Sequence, residues 1–362
     1  MNTQVIDMEH LAHLGNQSKR QPWRQRPGSF YLWVAAGVIT PAVIASALYL
    51  ATDLPGAIVI VLYLPIQLIA SGISAFATKG KRGVGDSVII VNAIGATVFV
   101  LVVLASVLGS LIVRGFKALS PHFIYQNSVY ISPSTSLDYG GIGHALLGTF
   151  LIVFIASLVA VPVGIATAIY ITEVRGRAVP YVRFFVQAMS GVPSVVAGLF
   201  ILTIVVATGA FGQSAFAGGV AYAILMLPTV ARTAEEVLRL VPDDLRTGAL
   251  ALGSTRARTV WRVVLPAART GIITAIILGI ARVIGETAPL LLAAGNNDQT
   301  VLNPFGSPIA SVPTYIFNNV ALPYPDAVTR AWGSALVLLV LVGILFTAAR
   351  LLGRGRLAKS GK

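Results

Sequence analysis

The sequence predicts an all-α, polytopic membrane protein, and three observations carry that prediction. Only 11% of the 362 residues are charged and 56% are hydrophobic, where a soluble domain carries about 25% charged residues. Mean hydropathy is +0.83, and long apolar runs recur through the chain, each near or above the ~20 residues a helix needs to cross a bilayer. The basic residues lie in short segments between those runs, which is how topology is written in a membrane protein. Backbone polar groups find no water in the hydrocarbon layer, so each run is predicted to be helical.

Eight spans are predicted, at roughly 30–51, 57–78, 87–113, 142–172, 185–207, 215–231, 271–293 and 332–352. Residues 1–29 form a polar tail with no apolar run, and the first run, at about 22 residues, exceeds a secretory signal core of roughly 7–15. Lys19, Arg20, Arg24 and Arg26 precede it; Lys79, Lys81 and Arg82 follow the second span; Arg175, Arg177 and Arg183 follow the fourth. Seven arginines from Arg232 to Arg269 follow the sixth, and Arg350 to Lys362 follow the eighth. The alternate loops hold only Arg114, Lys117 and Arg330. The positive-inside rule then puts both termini in the cytoplasm, with the basic tail 353–362 there. The same distribution absorbs the net charge of +13, so no nucleic-acid partner is implied. The two long outer loops, 114–141 and 294–331, are expected to be ordered caps or docking surfaces. No internal repeat is visible.

Absent chemistry narrows the function. There is no cysteine, which removes disulfides, thiolate metal sites and thiol nucleophiles. The four histidines, His10, His13, His122 and His144, lack metal-ligand spacing. No Gly-x4-Gly-Lys-Ser/Thr is present, so the chain has no P-loop for ATP. Gly83-Val84-Gly85-Asp86 superficially matches an intramembrane aspartyl protease motif, but that chemistry needs a second carboxylate. Asp86 is expected to be a helix N-cap instead.

The longest cytoplasmic segment between spans, 233–269, is informative by itself. Pro242 stops the helix leaving the sixth span. Asp243 and Asp244 stand where they would cap the next helix. Leu245, Ala249 and Leu252 recur at i, i+4 and i+7, giving a short apolar face. Gly253 permits a left-handed C-cap. Ser254 or Thr255 can cap a third helix, whose Val260, Trp261 and Val264 suit a membrane interface. Such a helix is either a knob for a partner's groove or an amphipathic turn lying on the membrane.

The spacing of this segment resembles the signature loop of ABC-importer permeases, Glu-Ala-Ala, three residues, Gly, nine residues, Ile-x-Leu-Pro. Here the slots hold Thr247-Gly248-Ala249, Gly253 and Val263-Val264-Leu265-Pro266; Thr247 and Gly248 depart from the pattern. Further stretches, SGVPSVVAGLF (190–200), LPTVARTAEEVLRLVPDDLR (227–246), ARVIGETAPLLL (281–292) and SVPTYIFNNVALP (311–323), resemble the phosphate-specific PstA type. The resemblance implies a six-span type I permease core at 87–352, with two extra helices at 30–78. It implies a docking loop formed by Leu245, Arg246, Ala249, Leu252, Gly253, Leu265 and Pro266. It implies a PstC-type permease, two PstB-type ATPases that bind the ATP and Mg, a PstS-type phosphate-binding protein, and residence in a bacterial or archaeal cytoplasmic membrane. The chain itself is expected to bind no cofactor or metal and to catalyse nothing.

Arg282 and Glu286 fall within the seventh predicted span, where each costs about 2.5–3.5 kcal/mol to insert. At i and i+4 they are expected on one helical face. Arg before Glu is the less favourable order for an intrahelical pair, which points to a transport path over a mere helix lock. The path is predicted to pass Arg282, Glu286, Thr287 and Arg232. Arg282 offers a fixed guanidinium fork to a tetrahedral oxyanion, and Glu286 accepts from a protonated phosphate oxygen that sulfate lacks. Gly191, Pro193 and Ser194 are expected to break the fifth span, either lining a cavity or kinking for packing. The rival class is a secondary transporter, which would show more ionisable groups along its spans.

Overall fold

The computed structural model describes residues 28–51, 56–174, 176–209 and 211–354. The terminal tails and their basic clusters, together with Arg175, lie outside the described residues. The chain divides into two compact units, Met1–Ser106 and Val107–Lys362.

In the first unit, α1 (Gly28–Ala51) and α2 (Gly56–Lys79) form an antiparallel pair, followed by α3 (Lys81–Gly115), which continues into the second unit. Polar residues hold the pair together. Pro41 sits inside α1 and cannot donate to the carbonyl of Gly37 four residues back. Gln67 Nε2 supplies that missing donor at 3.0 Å, and Tyr63 donates to Gln67 Oε1 at 2.9 Å. Ser74 Oγ donates to the Trp33 carbonyl at 2.6 Å. Away from this seam α2 exposes Leu62, Ile69, Ile73 and Phe76, the apolar surface a lipid contact requires. Gly80, at φ 71°, forms the joint to α3. Because α3 already starts at Lys81, Asp86 lies within the helix and is not its N-cap.

The second unit is all-helical among the described residues. Its elements are a short 3-10 turn (Phe116–Ala118), α4 (Pro121–Tyr125), α5 (Gly143–Ile169), α6 (Val179–Ser190), α7 (Ser194–Ile201), α8 (Ala215–Arg239), α9 (Asp243–Ala251), α10 (Arg256–Thr259), α11 (Leu265–Val283), α12 (Ala288–Ala293), α13 (Val312–Val320) and α14 (Pro325–Arg354). Wide π turns extend α5 (Tyr170–Val174) and α7 (Leu202–Val206) and join α10 to α11 (Val260–Val264). At the centre α5 packs along α8, with Ile152, Ala156 and Ala160 against Tyr222, Met226 and Val230. Small residues on α5 let the backbones approach, which is the main source of helix adhesion where lipid and side chain are equally apolar.

The two ends of α5 lie in different clusters, so the bundle has two distinguishable ends. At one end Ala145 joins Ala118, Phe123, Ile142, Ala310, Val312 and Tyr315; this is the cap end, built from the long loops 114–141 and 294–331. At the other, Ala168 joins Leu238, Val241, Val264 and Ala268; this is the loop end. The long loops are ordered, as anticipated. Ser120 caps α4 through the Phe123 N–H, and Ser311 with Thr314 forms a capping box on α13. Arg330 is only 2% exposed and donates to the carbonyls of Thr135 (2.8 Å), Ser136 (2.7 Å) and Tyr139 (3.3 Å).

All eight predicted apolar runs are helical, with changes at three. The sixth helix continues to Arg239, beyond the apolar run that ends near 231. The fifth is two helices, α6 and α7 with its π turn, bent by 99°. The seventh begins upstream, at α10, and ends early, at Val283. Among the described residues six helices are long and apolar enough to span a membrane, or seven with the bent pair counted as one. The second run contributes a shorter apolar helix over Leu62–Thr78.

Candidate translocation site

Two helix breaks build the site. The first is the run Gly191-Val192-Pro193 between α6 and α7. Pro193 lacks an N–H and pushes Val192 out of helical conformation; it occupies the N-cap position of α7 with extended ψ and no side-chain cap. The second is Ile284–Thr287 between α11 and α12. Pro289, near the start of α12, would clash with the carbonyl of residue 285 in a continuous helix, and that residue is glycine, a poor helix former.

The second break changes the sequence-based picture of the charged pair. Arg282 lies in the last turn of α11, while Glu286 lies in the irregular segment beyond it. The two do not share a helical face, and among the described residues no ion pair joins them. The signal was present in Gly285 and Pro289, four residues apart. Arg282 is exposed on this chain, and Glu286 and Thr287 are half-exposed. Beneath them Val283 and Ile284 are buried. The hydroxyl of Tyr222, on α8, donates to the Glu286 carbonyl. That bond satisfies a group freed by the break and fixes the break against the core. Tyr222 carries no charge and was not singled out by its sequence pattern.

The half-helices that follow the two breaks pack on each other. A Cβ on Gly198 of α7 would lie 2.7 Å from the Pro289 Cα of α12, so only glycine allows this approach. Half-helices that start after a break and pack together in the membrane leave irregular backbone that is tolerated only against protein or a water-filled cavity. Thr287 stands at the N-cap of α12 without a side-chain capping bond.

Arg232 lies elsewhere. It is exposed on α8 and lines a pocket of about 270 Å³ with Arg183 and Gln187 of α6 and Glu235, Glu236 and Arg239 of α8. Glu235 holds both Arg183 (3.0 Å) and Arg239 (2.6 Å). Among the described residues Arg232 has no carboxylate within ion-pair distance. Arg282, Glu286 and Thr287 do not line this pocket.

At the loop end, α9 has the predicted knob shape. Gly253 is left-handed at φ 82°, with Ser254 N–H donating to Ala249 O and Gly253 N–H to Leu250 O, the two bonds of a Schellman stop. Leu245 and Leu250 are exposed and Leu252 is 90% exposed. Ala249 is half-buried. Two local expectations change and one open alternative is decided. Pro242 holds the N-cap position, and Asp243 and Asp244 lie in the first turn without capping. Thr255, rather than Ser254, caps α10. Val264 is a core residue, while Trp261 is exposed. Leu265 packs on that core and Pro266 is exposed in the first turn of α11.

Arg246 faces inward. Its side chain is 14% exposed and grips Glu173, itself 9% exposed, at 2.8 Å. It also donates to the carbonyls of Leu238 and Val241 and contacts Asp243. The hydrogen bond to Glu173 pushes its pKa up, so it is charged throughout the physiological range. It fastens α9 to the end of α5. Glu173 was missed from sequence; a lone acid among the arginines that close the fourth span was the available signal. Among the described residues no group of three His, Cys, Asp or Glu side chains could hold a metal ion.

Comparison with known proteins agrees with this geometry. The family model described as binding-protein-dependent transport system inner membrane component matches residues 160–356, which contain both breaks and α9. The chain is 43% identical over 214 residues to phosphate transport system permease protein PstA 1 of Mycobacterium tuberculosis (strain CDC 1551 / Oshkosh), covering 59% of this chain and 70% of that one. It is 42% identical over 255 residues to PstA of Mycobacterium leprae (69% and 83%), and 34% identical over 258 residues to PstA of Pasteurella multocida (71% and 90%). By the family model and these relatives, the chain belongs to the binding-protein-dependent transport system inner membrane components, among the PstA-type permeases.

Proposed function

We propose that this chain is the permease subunit that carries inorganic phosphate inward through an ATP-driven ABC importer. The observation that carries the reading is the close packing of the half-helices that follow the two breaks, Gly198 of α7 on Pro289 of α12, with Arg282 and Glu286 at the edge of one break. A charged residue inside a membrane segment marks a path or a partner by default, and paired broken helices are where substrate sites form. Arg282, exposed on the single chain, would face a homologous PstC-type permease across a pseudo-two-fold axis. The guanidinium offers a bidentate fork to the anion. The Glu286 carboxylate accepts from protonated phosphate and repels sulfate. Arg232 provides a second cationic station toward the loop end.

Two PstB-type ATPases would receive the Leu245 and Leu252 face of α9, binding the ATP and Mg that this chain does not. A PstS-type binding protein would deliver phosphate at the cap end. Both termini would lie in the cytoplasm, as the basic loops dictate. ATP binding draws the ATPases together, and α9 transmits that movement to the bundle as a rigid-body rocking.

The test is radiolabelled phosphate uptake by the assembled complex in proteoliposomes, with and without ATP on the ATPase side, against excess cold sulfate. Uptake that requires ATP and ignores sulfate supports the proposal. Block by sulfate removes the selectivity role of Glu286. Uptake driven by a proton or sodium gradient without ATP overturns the proposal in favour of secondary transport.

A further inference from the structure

At the cap end, three basic residues depart from the cytoplasmic bias of the rest of the chain: Arg114, Lys117 and Arg330. Arg330 is consumed by backbone carbonyls in the buried cap. The other two are exposed and line one pocket of about 460 Å³ with Tyr324, Thr329 and Trp332. No carboxylate is among the residues that line it, and among the described residues neither cation has an ion-pair partner.

The pocket is held in shape by the packing behind it. A Cβ on Gly115 would lie 2.7 Å from the Trp332 carbonyl and 2.9 Å from the Leu336 side chain. The end of α3 therefore nests against α14, and the Arg114 guanidinium comes to lie 5.2 Å from the Trp332 ring centre. The ring holds the guanidinium by cation–π attraction while its hydrogen-bond donors stay available. Tyr and Trp gather where lipid headgroups begin. On the membrane side of the pocket, α3 exposes Ile112 and Val113 and α14 exposes Leu339 and Val340, apolar surface suited to acyl chains.

We propose that this pocket binds the phosphate group of an anionic phospholipid at the cap-end membrane surface. Arg114 supplies a planar fork, Lys117 a second positive charge, and Trp332 and Tyr324 the interfacial platform. Basic pockets between membrane helices are where lipid headgroups are recognised, each cation near a membrane surface contributing to the attraction. Which leaflet supplies the lipid follows from the orientation proposed above; the binding chemistry does not depend on it.

The experiment uses the full chain purified in detergent and titrated with phosphatidylglycerol or phosphatidylcholine, with retained lipid counted by native mass spectrometry. Phosphatidylcholine carries the phosphate but no net charge. The wild-type chain is expected to prefer phosphatidylglycerol. Arg114→Gln and Lys117→Gln are each expected to weaken that preference about fivefold, with melting temperature in lipid-free detergent unchanged because both side chains are exposed. Trp332→Phe, which keeps a ring under the guanidinium, is expected to retain most of the preference. Equal retention of phosphatidylglycerol by the wild type and the double variant overturns the site, as does equal binding of the two lipids by wild type. Displacement of the lipid by millimolar inorganic phosphate assigns the pocket to the free anion and overturns the lipid assignment.

Discussion

The cap end and the loop end are each fastened by one inward-facing arginine, but through different partners. Arg330 closes the cap with three backbone carbonyls and, among the described residues, no carboxylate within ion-pair distance. Arg246 holds α9 with a carboxylate, Glu173, and two carbonyls. The cap tie spans almost two hundred residues of sequence and pins a loop that contains no long helix. The loop-end tie pins a helix whose apolar side chains remain in the open. One arrangement completes a surface; the other holds a helix with its apolar side chains facing outward. Among the described residues Arg282 and Arg232 have no carboxylate within ion-pair distance, so neither is held as Arg246 is.

The largest expected effect tests that last contrast. Arg282→Ala should lower phosphate uptake about tenfold to hundredfold, the loss of a charged hydrogen bond or two, while the assembled complex purifies in normal yield. Retained uptake would make Arg282 a structural residue like Arg246. Removing the cap tie with Arg330→Ala empties the space of a 2% exposed side chain, leaves three part-buried carbonyls without their donor and should destabilise the chain by about 3 kcal/mol. Hydrogen exchange should rise over 128–141 and remain unchanged in α9.

Arg246→Ala should have the converse footprint. It leaves the half-buried Glu173 without its partner, at a cost of about 2 kcal/mol, and it should raise exchange in α9 and uncouple ATP hydrolysis from uptake. Matching footprints for the two variants would erase the distinction between the ends. Gly253→Ala, forced into a left-handed conformation, should cost about 1 kcal/mol and shift the melting temperature by a few degrees at most. Leu252→Asp is expected to be the mildest for stability, within about 0.5 kcal/mol, because the side chain is exposed, yet to abolish ATPase association in a pull-down. A large drop in melting temperature would mean that Leu252 packs within this chain.

Sequence alone determined the class of the molecule. Hydropathy and the placement of basic residues fixed helical runs, because a bilayer admits few other backbones. Gly191 and Pro193, the Gly253 stop and the apolar side chains of α9 were legible because each acts within a few residues. Contacts between distant segments decided the rest. That Arg246 reaches Glu173, that Tyr222 secures the Glu286 carbonyl and that Gly198 lies on Pro289 depend on which helices become neighbours, and residue spacing does not encode that. Arg282 and Glu286 show the boundary between the two. Their spacing indicated a shared helical face, but Gly285 and Pro289 ended the helix between them, and the packing of α12 on α7 determined where the freed segment lies. A lone charge in a membrane segment is visible in sequence; whether it is held by its own chain or left for a partner is settled only by the partners folding brings within reach.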